Sequence, residues 1–338
     1  MQLPGDDPAA IERAAAALAA GEMVAFPTET VYGLGARADD DAAVAQIFAL
    51  KGRPREHPLI VHVADAADAA RFTDAMPALA QRLMAAFWPG PLTVIVPRAE
   101  AMARAAAGGQ SSVGLRCPAH PVAQALLRGA HARGVPGVAA PSANRFGRIS
   151  PTQAAHVEAE FGPGLLLLDG GACEVGIESS IVDCSRGRAV LLRPGVIPRE
   201  RIEAAAGEPL GDPDALAPRA SGTLDSHYAP RATLRLMPSK MLHMALHMLG
   251  ELPPALAVYS RTVRPPVVGP RFRPMPNQPR QAAFELFATL RELDAGGVQL
   301  IWVEEPPPGP EWDGVRDRLQ RAAAPDPLHP NPASGAPP

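Results

Sequence analysis

Phe26-Pro27-Thr28-Glu29-Thr30-Val31-Tyr32-Gly33-Leu34-Gly35 is the stretch whose reading decides the fold. The apolar run leading into it, Met23 to Phe26, reads as a short buried strand. Pro27 has no N–H to give to a ladder, so the strand is expected to stop there. Two threonine hydroxyls, a carboxylate and a phenol then crowd into a turn, and Gly33 and Gly35 permit backbone angles that other residues resist. A strand that stops and presents polar groups from a glycine-containing turn is where α/β proteins often place ligands. A plain strand-to-helix turn with caps fits the same residues.

Outward from this stretch, strands and helices alternate irregularly. Helices are expected over 11–20, 39–50, 65–73, 77–87, 121–133 and 152–161. Strands are expected over 59–63, 92–96, 111–116, 138–140, 165–169, 177–183 and 189–193. Several strands follow one another directly. The fold class is therefore α/β, a twisted mixed sheet with flanking helices rather than a clean doubly wound array. A Gly-, Pro-, Ala- and Asp-rich stretch from Gly207 reads as a linker. Behind it a β-α-β-α-β-α alternation, with strands over 234–237, 255–259 and 298–303 and helices over 239–249, 279–293 and 311–323, suggests a smaller Rossmann-like α/β domain. The expected division is 1–206, a linker or lid over 207–230, 231–324, and a Pro-rich disordered tail over 325–338.

Composition narrows the function. The net charge is −3, so no general basic field draws nucleic acid. Three scattered cysteines, Cys117, Cys173 and Cys184, argue against a disulfide framework and suit a reducing cytoplasm. The start, Met1 to Pro8, is polar and acidic rather than a signal peptide, and no apolar run approaches the ~20 residues of a membrane span. Lys51 and Lys240 are the only lysines beside 30 arginines. Residue types that run against an Ala-, Arg-, Gly- and Pro-rich bias are worth noting, and Lys51, Asn144, Tyr32 and Tyr228 are such residues.

Candidate chemistry sits in a few places. Lys51-Gly52-Arg53, with Arg55, offers a point charge and guanidinium forks from a Pro-bounded loop, which suits phosphate oxygens; solvated surface charge is the alternative. No G-x-x-x-x-G-K-[ST] loop exists. Gly33-Leu34-Gly35-Ala36-Arg37-Ala38 mimics a dinucleotide fingerprint, but the helix starts too late for a pyrophosphate to sit on its N-terminus. Pro141-Ser142-Ala143-Asn144 and Ser150-Pro151-Thr152 put hydroxyls and amides at strand and helix ends, where Ser150 also reads as a cap. Glu178-Ser179-Ser180 places polar residues inside an apolar strand. Metal sites look poor: Cys117 and His120 have no second pair, and His243 and His247 share a helical face without the glutamate of H-E-x-x-H, so surface or structural roles suit them better. His227-Tyr228-Ala229-Pro230 closes the linker, as a latch or as packing.

Taken together these stretches resemble the Sua5/YrdC/YwlC family, the L-threonylcarbamoyladenylate synthases, in the long Sua5 form. Pro27 to Gly35, Lys51 to Pro54, Pro58 to His62, Trp88 to Thr93, Val113 to Pro121, Ala140 to Asn144, Gly176 to Ile181, Leu192 to Gly195 and His227 to Pro230 occur in the family's order. The resemblance implies a nucleotidyltransferase that condenses L-threonine, bicarbonate and ATP, with Mg²⁺ accompanying the ATP, to threonylcarbamoyl-AMP and pyrophosphate. The product would pass to a downstream threonylcarbamoyl transferase machinery for the t6A modification of tRNA, with no stable tRNA binding and no membrane expected. It implies a threonine site of Thr30, His62, Arg116, Ala140 and Ser179. It implies a nucleotide site of Lys51, Arg53, Arg55, Ser112, Ser142, Asn144, Ser150, Arg193 and Tyr228, with Lys51 and Arg53 catalytic. The linker departs from many relatives at Pro218-Arg219-Ala220-Ser221-Gly222. An RNA-binding module and a carbamoyl transferase of the hydrogenase-maturation type are the other classes weighed. The second usually carries an acylphosphatase-like unit and Cys-rich zinc fingers, which this sequence lacks.

Overall fold

A computed structural model of the chain describes residues 1–325. The expected tail lies, apart from Pro325, outside the described residues. Two compact units are present among the described residues: Met1–Phe146 with Ser150–Thr223, and Gly147–Ile149 with 224–325.

The first unit carries β1 (Gln2–Pro4), β2 (Val24–Pro27), β3 (Tyr32–Arg37), β4 (Ile60–His62), β5 (Leu92–Pro97), β6 (Ser112–Arg116), β7 (Val138–Ala139), β8 (Leu166–Asp169), β9 (Ser180–Asp183) and β10 (Val190–Arg193). Its helices are α1 (Pro8–Ala19), α2 (Asp41–Lys51), α3 (Ala66–Ala69), α4 (Ala78–Phe87), α5 (Pro121–His131), α6 (Ala154–Phe161) and α7 (Arg199–Ala206). The strands form one sheet in the order β1-β8-β2-β3-β7-β4-β6-β5-β9-β10. It is mixed: β2 runs parallel to β8 but antiparallel to β3, and β4 parallel to β6 but antiparallel to β7. Alternation along β2 serves both faces. Val24 and Phe26 join a core with Leu18, Leu126 and Leu168, and Ala25 joins one with Leu34, Ile47, Phe72 and Leu83.

The opening stretch is a β-hairpin, not a strand-to-helix turn. Pro27 still ends β2, and its partner across the hairpin is Tyr32. Gly33 and Gly35 lie inside β3 and correct the expectation that they bend a turn. Their reason is space: a Cβ on Gly35 would come within 2.7 Å of Val138 Cγ1 and 2.8 Å of Phe26 Cε1. These small residues hide the strand from pattern reading. Lys51 is a second correction, because it is the last residue of α2 and buried, with the Pro-bounded loop starting only at Gly52 (φ 63°). Glu178 and Ser179 precede β9 rather than lying within it.

The second unit places β11 (Thr233–Met237), β12 (Leu256–Ser260), β13 (Phe272–Pro274) and β14 (Leu300–Glu304) with α8 (Ser239–Leu249), α9 (Pro279–Ala295) and α10 (Asp313–Ala323). The sheet is all parallel in the order β11-β14-β12-β13, as the β-α-β alternation requires. Glu304, at the end of β14, accepts from Ser239 Oγ at 2.7 Å, Ser260 Oγ at 2.6 Å and the Thr262 amide at 2.7 Å. Burial pushes its carboxyl pKa up, but the bonds from Ser260, Thr262 and Ser239 win and hold it at about 2.

The linker divides at Thr223. Its first part belongs to the first unit, where Gly211 exchanges backbone bonds with Ala189 (2.8 Å) and Leu191 (3.0 Å) at the edge of β10. No helix among the described residues is long and apolar enough to cross a membrane.

Candidate functional site

The hairpin loop Thr28–Val31 is held by its own hydroxyls. Thr28 Oγ1 donates to the Val31 carbonyl at 2.7 Å and lies 2.9 Å from Thr30 Oγ1. The segment after β7 folds against β3: the Leu34 amide donates to Pro141 O at 2.8 Å and the Ala143 amide to Tyr32 O at 2.8 Å. Gly33 permits this, since its Cβ would sit 3.3 Å from that of Ala140. Thr30, Ala140 and Ser142 are thereby gathered at one end of β3.

Lys51 reaches the same place. Its Nζ donates to Ser142 O at 2.7 Å and to the Asn144 carbonyl. Burial, then the neighbouring Arg53 charge, pushes its pKa well below the ordinary lysine value. A cation held this way gains most from an arriving anion. Arg53 is buried; its Nη2 donates to Pro58 O at 2.9 Å and its guanidinium lies 5.4 Å from the Phe146 ring centroid. Arg55, by contrast, is exposed.

Arg116, at the end of β6, forms a buried ion pair with Glu29 of the hairpin loop at 2.8 Å, and Glu29 Oε2 also accepts the Ala119 amide at 3.1 Å. Nothing local in the sequence marks Glu29 for this role, since a carboxylate in a polar turn reads equally as solvated surface charge. His62, at the end of β4, is pushed down to about 3 by burial and then by the Arg116 charge, against a weaker upward pull from the Ile60 and Val138 backbone. It is therefore a neutral ring at ordinary pH.

Ser179 and Arg193 form a third group. Arg193 Nη2 donates to Ser179 O at 2.9 Å, and Ser179 Oγ pairs with Thr93 Oγ1 at 2.8 Å. Thr93 is a further residue that sequence reasoning misses, since its partner Ser179 comes from a distant part of the chain. The linker joins here: Arg193 Nη1 donates to Ser221 O at 2.8 Å and Arg53 Nη2 to Ser221 Oγ at 3.4 Å. Arg219 and Gln110 exchange two bonds, at 2.8 and 3.1 Å. Arg219, Ala220 and Ser221 wall a narrow cleft whose floor includes Ile60, Thr93, Ser112, Gly114 and Ile181. Ser221 had no readable signal, because the linker departs from the family pattern there. Ser150 donates to Glu178 Oε1.

Tyr228 belongs to the second unit. Its ring stacks on Phe287 with centroids 5.4 Å apart, and the Arg318 guanidinium lies 5.4 Å from its centroid. Its φ of 63° is one that bulky residues rarely adopt. These contacts are those of the packing alternative.

The His62 shift has a measurable consequence. With a folded pKa of about 3 and an unfolded value of ~6.5, the unfolded chain binds the extra proton between these limits. His62 thus lowers stability as pH falls from ~6.5 to ~3, with a slope of at most about 1.4 kcal/mol per pH unit. Denaturant titrations of the parent and His62→Gln across that range are expected to diverge, the variant showing the flatter profile. Parallel curves would mean that His62 titrates normally.

The Sua5/YciO/YrdC family model, described as telomere recombination, matches residues 16–195, and a model described as threonylcarbamoyl-AMP synthase, C-terminal domain, matches residues 197–324. The threonylcarbamoyl-AMP synthase of Bacillus subtilis is 42% identical over 253 residues, spanning 72% of this chain and 71% of that protein. That of Schizosaccharomyces pombe is 32% identical, spanning 95% and 90%. The crystal structure of P. abyssi Sua5 complexed with L-threonine superposes with a TM-score of 0.83 at 34% identity, covering 94% of this chain and 95% of that one. By sequence over both units and by structure over nearly all of its length, the chain belongs to the Sua5/YciO/YrdC family and carries the C-terminal domain of the threonylcarbamoyl-AMP synthases.

Proposed function

We propose that the protein is an L-threonylcarbamoyladenylate synthase, a nucleotidyltransferase that joins L-threonine, bicarbonate and ATP into threonylcarbamoyl-AMP with release of pyrophosphate. The observation that carries this reading is the gathering, in the first unit, of a carboxylate receptor (Arg116) with three buried cations suited to phosphates (Lys51, Arg53 and Arg193). The names of the relatives support it.

Threonine's carboxylate would pair with Arg116, which Glu29 orients. Its amine adds to bicarbonate carbon and water leaves, giving a carbamate. A carbamate oxygen then attacks the α-phosphorus, and the bond to pyrophosphate breaks. No covalent enzyme nucleophile is required; positioning and charge stabilisation carry such transfers. Lys51, Arg53 and Arg193 would offset the phosphate charge, and the hydroxyls of Ser112, Ser142 and Ser150 would add bonds to the nucleotide. Mg²⁺ arrives as part of the nucleotide substrate. The product serves t6A modification of tRNA through a downstream transferase, in the cytoplasm.

Pyrophosphate release tests the reading. It is expected only when threonine and bicarbonate are both present. Equal release with threonine alone would identify an ordinary amino-acid-activating enzyme instead.

The strap Arg219–Ser221 would act as the lid, since phosphates reaching Arg53 and Arg193 must contend with Ser221. Protease cutting between 207 and 223 is expected to slow about tenfold or more when ATP and threonine are both bound, because a pinned strap opens less often for cleavage. Cutting that ignores the ligands would make the strap a fixed wall.

A further inference from the structure

Helix α8 of the second unit has apolar residues on both of its sides. Leu242 and Leu246 are buried in the unit's core. Opposite them, Met241, Met244 and Met248 are exposed, Met248 at 87%. His243 and His247 are exposed beside these methionines, one turn apart, with ring centroids 4.4 Å apart and planes inclined at 51°. The helix contains Lys240 but no acidic residue.

At 100° per residue, His243, His247, Met244 and Met248 fall within about 140° of the exposed surface, a span that also takes in Lys240 of the first turn. Met244 lies three residues before His247 and four before Met248, both spacings that bring helical side chains together. Two exposed imidazoles this close can each give a ring-nitrogen lone pair to one shared cation, and this helix offers no carboxylate beside them. The two thioethers then decide which cation fits. Sulfur and imidazole donors without carboxylate suit soft ions, and thioether sulfur adds little for Mg²⁺, Ca²⁺ or Zn²⁺. Where a zinc peptidase helix has the glutamate of H-E-x-x-H, this one has Met244, so the pair cannot serve that chemistry.

We propose that His243, His247, Met244 and Met248 form an exposed binding site for a soft monovalent cation of the copper(I) class. The site lies in the second unit and uses none of the residues assigned above to threonine or nucleotide.

The test uses the untagged full-length chain under anaerobic, reducing conditions, with Cu(I) supplied from a chromophoric chelator of known affinity. One Cu(I) per chain is expected to leave the chelator. His247→Ala is expected to weaken binding at least 10-fold. Met244→Leu with Met248→Leu is also expected to weaken Cu(I) at least 10-fold, yet to leave Ni(II) binding, measured separately, within about twofold, because nickel relies on the histidine pair. All these side chains are exposed, so melting temperatures without metal should stay close to the parent's. Unchanged Cu(I) affinity in His247→Ala would put the ion elsewhere, as on the three buried cysteines, and overturn the proposal. Cu(I) affinity that survives both Met→Leu changes would also overturn it, leaving a plain two-histidine site with no preference for soft ions.

Discussion

Lys51→Ala is expected to cut pyrophosphate release by roughly 100-fold or more, the usual scale for removing one group that stabilises developing charge. The variant should also lose about 1–3 kcal/mol of stability, because the Ser142 and Asn144 carbonyls lose a buried donor. From the sequence, a lysine in a solvent-facing loop would have left folding untouched; its burial at the end of α2 couples the two effects. Lys51→Met helps to separate them, since it keeps the apolar stem and removes only the ammonium. It should keep the activity loss with a smaller stability loss, and threonine binding measured by calorimetry should stay within a few fold. Activity within threefold of the parent in folded Lys51→Met would take Lys51 out of the site. The depressed pKa adds a signature: an arriving phosphate favours the ammonium form and raises the Lys51 pKa again, so nucleotide binding takes up protons as the pH rises through the depressed pKa. Binding enthalpies measured at alkaline pH in buffers of different ionisation enthalpy would reveal that uptake, which Lys51→Met should lack.

Legibility in the sequence followed local chemistry. α8 is legible over the same residues that it occupies, because Pro238 and Gly250 bracket a run whose leucines and methionines recur at helical spacing. The mixed sheet and the parallel second unit were also readable, from strands that follow one another directly in the first case and alternate with helices in the second. β3 was not, since Tyr-Gly-Leu-Gly-Ala-Arg carries neither alternation nor β-branched residues; it is extended because Phe26 and Val138 leave room only for glycine. Among site residues, Lys51, Arg53, Ser142 and Asn144 could be grouped from motif chemistry, whereas the roles of Glu29, Thr93 and Ser221 depend on partners 28 to 168 positions away along the chain. Such pairings are products of the sheet order and have no local trace. Tyr228 shows the reverse: its rarity drew attention to it, but its ring lies on Phe287 of its own unit.

Arg116→Met is expected to be the most damaging change at the threonine end, through two effects that a second substitution can separate. The first is structural. Arg116 and Glu29 are paired at 2.8 Å with side chains only 4% and 7% exposed. Breaking such a pair from one side leaves an uncompensated buried charge and costs about 3–5 kcal/mol. The second is functional: without the guanidinium the substrate carboxylate has no charged partner, and kcat/KM for threonine should fall roughly 100-fold, the scale of a hydrogen-bonded charge pair. Glu29→Gln in the same chain removes the orphaned charge and keeps a side chain able to accept the Ala119 amide. The double variant should therefore regain most of the lost stability in denaturant titrations while its threonine kcat/KM stays depressed. Glu29→Gln alone should leave Arg116 in place but less firmly oriented, raising KM for threonine several-fold with kcat nearly kept, because orientation of a binding group acts on substrate and transition state alike. If the double variant recovers threonine turnover along with stability, the pair is a structural clamp, and the carboxylate must be received by another group.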